Sequence, residues 1–237
     1  MNFAGMINQS LLDYPGEIAT VLFTRGCNFA CPFCHNGHLL MKFNKAQNQE
    51  IELAEVLEFL RERKNFIDAV VISGGEPTLN QELPETIREI KKLGLLVKLD
   101  TNGTNVNMLS QLIEEKLLDY VAMDIKAPLD CKKYQQASGR LTNGEFFNVR
   151  AAINLLQQAD IKVEFRTTVV PELHTFEDIE AIAKYIEGAK IYSLQQFNPS
   201  NTLEPSYQDC VPYSKQEMQE LSIRCAPYVE EVRVVNI

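Results

Sequence analysis

Short runs of apolar, β-branched residues alternate along the chain with stretches whose apolar residues recur at helical spacing. The runs that predict strands are Ile18–Thr24, Ala69–Ser73, Leu95–Asp100, Tyr120–Lys126, Val163–Val170 and Ile191–Phe197. The stretches that predict helices contain Leu53–Leu60, Leu83–Leu93, Val149–Leu156 and Ile179–Ile186. A further helix near Ser214–Cys225 and a strand at Val229–Val235 are predicted at the end of the chain.

Strands that alternate with helices predict an α/β fold in which parallel strands are joined by crossover helices. Six such units can form either an open sheet or a partial barrel. In both architectures ligands bind at the C-terminal ends of the strands, so functional residues should follow the strands. The longest stretch without a predicted element, residues 127–144, is expected to be a lid or a binding loop.

Composition narrows the class of protein. The chain has 237 residues, of which 45% are hydrophobic and 23% are charged, as is typical of a soluble globular protein. The formal net charge of -9 argues against a nucleic acid as the main partner, because phosphate binding relies on an excess of Lys and Arg. The sequence shows neither a signal peptide nor a membrane-spanning apolar run, so we expect a cytoplasmic protein with no membrane association.

Cys27, Cys31 and Cys34 lie within eight residues, directly after the first predicted strand. A C-x3-C-x2-C spacing on a loop allows three thiolates to converge, and three ligands leave one iron of a cubane cluster open. A structural zinc site needs a fourth Cys or His, for which His35 and His38 are candidates. A zinc-binding interaction module without catalysis is therefore an alternative reading.

The other three cysteines, Cys131, Cys210 and Cys225, are scattered along the chain. Their separations do not match the closely spaced ligands of a ferredoxin-type cluster. We interpret them as small buried hydrophobic residues and not as ligands of a second cluster.

The cysteine spacing, with the aromatic Phe33 before the last cysteine, resembles the signature of the radical S-adenosylmethionine superfamily. The resemblance implies a [4Fe-4S] cluster held by Cys27, Cys31 and Cys34, and it implies that Phe33 contacts the cofactor. It also implies that the open iron binds the amino and carboxylate groups of S-adenosylmethionine. One electron from the reduced cluster then cleaves the cofactor to methionine and a 5′-deoxyadenosyl radical.

Three further motifs extend the resemblance. Ser73–Pro77 is similar to the glycine-rich segment of the superfamily, where small residues allow the backbone to approach the cofactor. Leu99–Gly103 and Met123–Lys126 resemble the glycyl-radical-enzyme activating branch. The resemblance implies a monovalent cation bound by Asp100 and Asp124. It further implies cofactor contacts from Gly74, Gly75, Glu76, Thr101, Asn102 and Lys126.

Arg166 interrupts an apolar run, and Gln196 ends the last of the six predicted strands. An Arg within a buried strand is costly unless it is paired. The resemblance implies that Arg166 and Gln196 both contact the cofactor. For Arg166, a salt bridge to an acidic side chain such as Glu76 is the alternative.

The resemblance covers nearly the whole chain and is greatest to the longer subgroup of the activating proteins of anaerobic ribonucleoside-triphosphate reductases. It implies a single-domain partial (β/α)6 TIM-like barrel over residues 1–237, with an N-terminal extension (1–17) and a C-terminal extension (198–237). It also implies a glycyl-radical enzyme as the protein substrate and an external flavodoxin- or ferredoxin-like electron donor. We expect the 127–144 stretch, His35 and His38 to contact the partner. A radical enzyme that modifies a small molecule or a peptide is the alternative function.

Overall fold

A computed structural model describes residues 1–40 and 50–236. The strands within these residues are β1 (Asn2–Phe3), β2 (Gly5–Ser10), β3 (Ala19–Thr24), β4 (Ile51–Glu52), β5 (Ala69–Gly74), β6 (Leu96–Thr101), β7 (Tyr120–Asp124), β8 (Lys162–Val169), β9 (Ile191–Gln196) and β10 (Glu231–Val235). The helices are α1 (Gly37–Leu40), α2 (Leu53–Glu62), α3 (Leu83–Lys91), α4 (Val106–Glu114), α5 (Cys131–Ser138), α6 (Asn143–Gln157), α7 (Phe176–Tyr185) and α8 (Lys215–Cys225). Two short 3-10 helices occur at Pro77–Leu79 and Pro205–Asp209.

The central sheet confirms the predicted α/β class. Its strand order is β10-β9-β8-β7-β6-β5-β3-β2, so the six predicted strands lie side by side in chain order. The pairs β3–β5, β5–β6, β8–β9 and β9–β10 are parallel, whereas β2 pairs with β3 in the antiparallel direction. The chain therefore forms a single α/β domain with a mostly parallel central sheet.

The prediction of an irregular stretch over residues 127–144 is wrong, because this stretch contains α5. The side chain of Asp130 caps this helix by accepting hydrogen bonds from the backbone N–H groups of Lys132 and Lys133, both at 3.0 Å. Few apolar residues mark α5, so its periodicity is weak, and the capping Asp is the stronger signal in the sequence. Helix α4 and strands β1 and β2 were not predicted either.

Chain contacts divide the domain into two compact units. The first unit comprises Met1–Cys27, His38–Thr101 and Asn107–Val121, and the second comprises Asn28–Gly37, Asn102–Val106 and Ala122–Ile237. No helix among the described residues is both long enough and apolar enough to cross a membrane.

In the first unit, β3 and β5 are almost entirely buried, which explains why they appear in the sequence as continuous apolar runs. Helices α2 and α3 bury one face each, and their exposed faces carry charged residues. The ring of Tyr14 packs edge-on against Tyr120, with ring centroids 5.5 Å apart. Residues before β3 therefore belong to the core of this unit.

In the second unit, three helices begin with the same reciprocal cap. In each cap the N-cap hydroxyl accepts a hydrogen bond from the backbone N–H three residues later, and that residue's carboxylate accepts one from the N-cap N–H. The pairs are Thr142–Glu145 for α6, Thr175–Asp178 for α7 and Ser214–Glu217 for α8. These caps set where the crossover helices begin.

The glycine-rich segment after β5 packs directly against the backbone at the start of the cysteine loop. The N–H of Glu76 donates to the carbonyl of Gly26 at 2.7 Å, and the N–H of Gly75 donates to the carbonyl of Thr24 at 2.9 Å. A Cβ on Gly75 would lie 1.9 Å from the Gly26 carbonyl oxygen. Gly74 has φ +108, and a Cβ there would lie 2.5 Å from the backbone nitrogen of Thr24. Both glycines are thus required by backbone packing within the first unit.

We predict that Gly75→Ala destabilises the protein, because the added methyl group meets a backbone oxygen that cannot rotate away. The expected loss is at least about 1–3 kcal/mol of unfolding free energy. Gly144→Ala is the matched control, since a Cβ at this position in α6 meets nothing within 4 Å. Denaturant unfolding of both variants provides the measurement. Equal stability of the two variants would contradict the packing argument.

Candidate active site

The three clustered cysteines follow β3. Cys27 is half-buried at the end of the first unit, whereas Cys31 is buried and Cys34 half-buried in the second unit. The N–H of Cys34 donates to the carbonyl of Cys31 at 3.0 Å, which closes a tight turn between these two residues. Burial raises the pKa of the Cys34 thiol, and the neighbouring Lys126 ammonium offsets part of this rise. Phe33, which lies between Cys31 and Cys34 in the sequence, is buried.

No group of three or more His, Cys, Asp or Glu side chains in residues 1–40 and 50–236 has the arrangement of a formed metal site. The assignment of the three cysteines to a cluster therefore stays a prediction. His35, the nearest candidate for a fourth zinc ligand, packs its ring against Phe197 with centroids 6.3 Å apart. Its backbone carbonyl accepts a hydrogen bond from Asn201 at 2.9 Å. His38 lies in α1.

Asn28 connects the cysteine loop to the motif that follows β6. Its side-chain amide donates to the hydroxyl of Thr104 at 2.9 Å, and its side-chain oxygen accepts from the amide of Asn102 at 2.9 Å. The side-chain oxygen of Asn102 in turn accepts from the backbone N–H of Thr104 at 3.0 Å. Asn102 was predicted to contact the cofactor, and in the structure it supports the cysteine loop.

Glu76 is a buried carboxylate in the first unit. Its Oε1 accepts hydrogen bonds from the hydroxyl of Thr101 at 2.8 Å and from the backbone N–H of Thr78 at 3.1 Å. Burying a carboxylate is costly unless hydrogen bonds replace its hydration, and these donors supply that replacement. The predicted cofactor residues Glu76 and Thr101 are therefore hydrogen-bonded to each other.

Asp100 is the second-last residue of β6 and lies beside a buried lysine that the sequence analysis did not identify. The ammonium of Lys98 lies 3.2 Å from Asp100 Oδ1, and the hydroxyl of Ser73 donates to Asp100 Oδ2 at 3.1 Å. Lys98 also donates to the backbone carbonyl of Asp13 at 2.6 Å and lies over the ring of Tyr120. Asp100 is thus a partly buried, ion-paired carboxylate and not a solvated surface group.

Asp124, Lys126 and Arg166 form one ionic group in the second unit. Arg166 Nε lies 2.9 Å from Asp124 Oδ1, and Lys126 Nζ lies 2.9 Å from Asp124 Oδ2. Burial raises the pKa of Asp124, but the two cations outweigh burial and hold this pKa well below its usual range. Burial lowers the pKa of Lys126, but Asp124 and Cys31 raise it above its usual range. All three groups are therefore ionised, and the expectation that Arg166 needs a partner is met by Asp124.

Two residues that the sequence analysis missed hold the backbone of Lys126. The hydroxyl of Tyr134 accepts a hydrogen bond from the Lys126 N–H at 3.3 Å. The imidazole of His174 contacts the Lys126 carbonyl through Nε2 at 2.8 Å. Because His174 Nδ1 accepts from the Val170 N–H, Nε2 must carry the proton and donate it. Burial lowers the pKa of His174, which agrees with a neutral ring.

Gln196 is the last residue of β9, and within the described part of the chain only the nitrogen of its side-chain amide is hydrogen-bonded. Its Nε2 donates to the Tyr213 carbonyl at 2.7 Å, while its Oε1 is buried and accepts no hydrogen bond from any described residue. In the β8–β9 register, Ser193 is opposite Arg166 and Gln195 is opposite Thr168. Since side chains alternate along a strand, Gln195 shares the sheet face of Arg166 and Gln196 does not. The role of Gln196 in cofactor binding stays a prediction, and its unpaired oxygen is the feature that favours it.

The amino-acid sequence is similar to that of known proteins over most of its length. Residues 21–186 match the family model described as the Radical SAM superfamily. The chain is 35% identical over 237 residues to "Putative glycyl-radical enzyme activating enzyme MJ1227" of Methanocaldococcus jannaschii, covering 99% of this chain and 95% of that protein. It is 30% identical over 202 residues to the pyruvate formate-lyase-activating enzyme of Clostridium pasteurianum, covering 83% of this chain and 80% of that enzyme.

Solved structures share the fold at low sequence identity. SuiB of Streptococcus suis, bound to its precursor peptide SuiA, matches with a TM-score of 0.67 and 15% identity, over 90% of this chain and 47% of SuiB. TYW1 with a lysine-pyruvate adduct matches with a TM-score of 0.62 and 16% identity, over 89% of this chain and 74% of TYW1. This chain thus spans about half the length of SuiB.

The family model covers more than half of the chain, and the two curated relatives are similar to 99% and 83% of it. Membership of this family implies a [4Fe-4S] cluster and S-adenosylmethionine. The protein therefore belongs to the Radical SAM superfamily, in its branch of glycyl-radical enzyme activating enzymes.

Proposed function

We propose that this protein installs a glycyl radical on a partner enzyme, with anaerobic ribonucleoside-triphosphate reductase as the partner. The full-length similarity to a glycyl-radical enzyme activating enzyme carries the proposal. In the proposed reaction, one electron from an external flavodoxin- or ferredoxin-like donor enters for each radical formed. The partner's glycine would lose its Cα hydrogen atom, one S-adenosylmethionine would be consumed, and the products would be methionine, 5′-deoxyadenosine and the glycyl radical.

The residues after β3 fit the cluster that the family implies. Cys27, Cys31 and Cys34 provide three thiols within eight residues, and thiolates are the ligands that iron–sulfur clusters take. Three ligands leave one coordination position for the cofactor. When bound together, the cluster and S-adenosylmethionine supply a one-electron reductive cleavage that yields the 5′-deoxyadenosyl radical.

The ionic group of Asp124, Lys126 and Arg166 supports binding of an anionic part of the cofactor. Two cations and one carboxylate leave this group with one net positive charge. The carboxylate of a methionine moiety complements that charge. The hydrogen bond from the Lys126 ammonium to Asp124, together with the hydrogen bonds on the Lys126 backbone, holds this charge in place before the cofactor arrives.

Gln196 lies on the sheet face opposite to Arg166, and its unpaired Oε1 at the end of β9 is a separate hydrogen-bond acceptor that we propose for the cofactor. A buried acceptor without a donor is costly, and a bound amine or hydroxyl group would remove that cost. The remaining predicted contacts, from Phe33, Gly74, Gly75, Glu76, Thr101 and Asn102, stay part of the proposal.

We predict that Cys27→Ser, Cys31→Ser and Cys34→Ser each abolish reductive cleavage of S-adenosylmethionine, because each variant removes one of the three proposed ligands. Anaerobically reconstituted wild-type protein should bind about four irons per chain. Cys131→Ser is the matched control: Cys131 is exposed on α5, so the prediction that it is buried is wrong, and its replacement should not affect iron content. Stoichiometric zinc without iron in anaerobic preparations would favour the interaction module instead.

The substrate prediction concerns where the radical forms. The reduced protein, mixed with S-adenosylmethionine and the reductase, should give a doublet electron paramagnetic resonance signal on the reductase. The signal should vanish when the acceptor glycine of the reductase is replaced by Ala. For transfer, that glycine's hydrogen must lie within about 3–4 Å of the deoxyadenosyl carbon. If deoxyadenosine forms at full rate only when a metabolite or a peptide is added, the protein modifies that class of substrate and not a glycyl-radical enzyme.

A monovalent cation at Asp100 and Asp124 is the last part of the proposal. Each carboxylate already has a cationic side-chain partner, so an added cation would have to share these oxygens. If it binds, cleavage rates at constant ionic strength should differ several-fold among lithium, sodium, potassium and caesium salts. Asp124→Asn should reduce that dependence while leaving the iron content unchanged. Equal rates in all four salts would exclude the cation.

A further inference from the structure

We infer that Glu145 is a positioning residue for the cysteine loop: its carboxylate joins the start of α6 to Asn28, the residue that follows Cys27. The Glu145 carboxylate uses one oxygen for each task. Oε2 accepts hydrogen bonds from the N–H and the hydroxyl of Thr142, both at 2.7 Å, and so completes the cap of α6. Oε1 accepts a hydrogen bond from the side-chain amide of Asn28 at 2.7 Å.

The charge on Glu145 strengthens this connection. Burial raises the pKa of Glu145, but the hydrogen bonds from Asn28 and Thr142 outweigh burial and lower this pKa below its usual range. The carboxylate is therefore ionised at neutral pH. Hydrogen bonds to an ionised acceptor are stronger than those between neutral groups.

Both the side chain and the backbone carbonyl of Asn28 make hydrogen bonds. Besides Glu145, its side chain contacts Thr104 and Asn102, and its backbone carbonyl accepts a hydrogen bond from Arg140 Nε at 2.6 Å. An amide that makes this many hydrogen bonds has one orientation and fixes the backbone that carries it. The position directly after Cys27 is thereby set by residues from outside the cysteine loop.

The connection between α5 and α6 holds the loop at a second point. The N–H of Ala30 donates to the carbonyl of Ser138 at 2.8 Å. Gly139 has φ +69, and a Cβ there would lie 2.0 Å from the Ala30 carbonyl oxygen. Residues 138–145 therefore hold the loop at positions 28 and 30, between the first two cysteines.

This arrangement affects how readily the three thiols can bind one cluster. A flexible loop must lose conformational entropy when its cysteines bind the same cluster. A loop that is already held loses less entropy on binding a cluster. The inference uses the proposed function only in assigning a cluster to these cysteines. The hydrogen bonds to Asn28 and Ala30 order the loop in the cluster-free chain as well.

The simpler reading is that Glu145 only caps α6, and α8 provides the control that separates the two readings. Glu217 caps α8 in the same way, accepting the N–H and the hydroxyl of Ser214, both at 2.7 Å. Among the described residues, the Glu217 carboxylate makes no other hydrogen bond or ion pair; the Glu217 N–H completes the same cap by donating to the Ser214 hydroxyl at 3.3 Å. Glu145→Ala and Glu217→Ala thus remove equivalent caps, and only the first removes a contact with the cysteine loop.

The first measurement uses the cluster-free protein. The alkylation rate of Cys31 by iodoacetamide, followed by mass spectrometry, should rise at least about tenfold in Glu145→Ala, because a hydrogen bond between an amide and an ionised carboxylate is lost. Glu217→Ala should leave this rate unchanged. Cys225, which is buried in α8, reports global unfolding in the same samples and should stay protected in both variants.

The second measurement is the rate at which a chelator removes iron from reconstituted protein under anaerobic conditions, which should rise in Glu145→Ala and not in Glu217→Ala. Asn28→Ala leaves the cap of α6 intact and should reproduce both effects, so it replaces Glu145→Ala if that variant does not fold. Equal Cys31 alkylation in Glu145→Ala and Glu217→Ala would overturn the inference. Failure of every variant and of the wild type to bind iron would contradict the proposed function, while the alkylation result would still decide the role of Glu145.

Discussion

Two cationic side chains share the carboxylate of Asp124. Lys126 and Arg166 are both partly buried, and each pairs with a different oxygen of this residue. Ionised groups removed from water cost several kcal/mol each unless they are paired, so these ion pairs offset the cost of burying all three groups. The end of β7 and the middle of β8 must therefore keep their register. The hydrogen bond from the Ile125 N–H to the Arg166 carbonyl, at 2.8 Å, joins the same two segments.

The residues at the strand ends that we propose for cofactor binding also make hydrogen bonds and packing contacts that stabilise the fold. In the first unit, the buried carboxylate of Glu76 is satisfied by Thr101 and Thr78, and the backbone at Gly75 is packed on Gly26. In the second unit, Asn102 and Asn28 are hydrogen-bonded to each other. Preorganisation of this kind leaves little freedom for the side chains that we propose to receive a cofactor, and little freedom is the condition for electrostatic stabilisation without reorganisation.

Periodicity in the sequence was sufficient for several elements whose burial is one-sided or complete, although α4, which also buries one face, was not predicted. β5 is buried over most of its length and α3 has a clean apolar stripe, so both were predicted with nearly correct bounds. α5 escaped because it is mostly polar, and a polar helix can be recognised only from its capping residue, here Asp130. Part of the 127–144 stretch, which we expected to be a lid or a binding loop, is therefore an ordered helix.

For the candidate site, the residue types were predictable and their partners were not. The cysteine spacing and the strand-end motifs are local, so Cys31 and Asp124 could be selected from the sequence. Hydrogen bonds between residues far apart in the chain are not local, and neither His174 nor Glu145 has a distinctive sequence context. Glu145 does follow Thr142 at capping-box spacing, which predicts a helix start but gives no indication of the contact with Asn28.

Lys98 has a consequence for the design of a shortened protein. Its ammonium is buried in β6 and takes one of its hydrogen-bond acceptors from the backbone of Asp13, in the segment before β3. A chain trimmed to begin at β3 would lose that carbonyl and also Tyr14, whose ring packs on Tyr120 beneath the ammonium. Asp100 would then be the main remaining counter-charge to a buried cation. The N-terminal extension therefore packs as part of the first unit, and a minimal catalytic chain has to retain it.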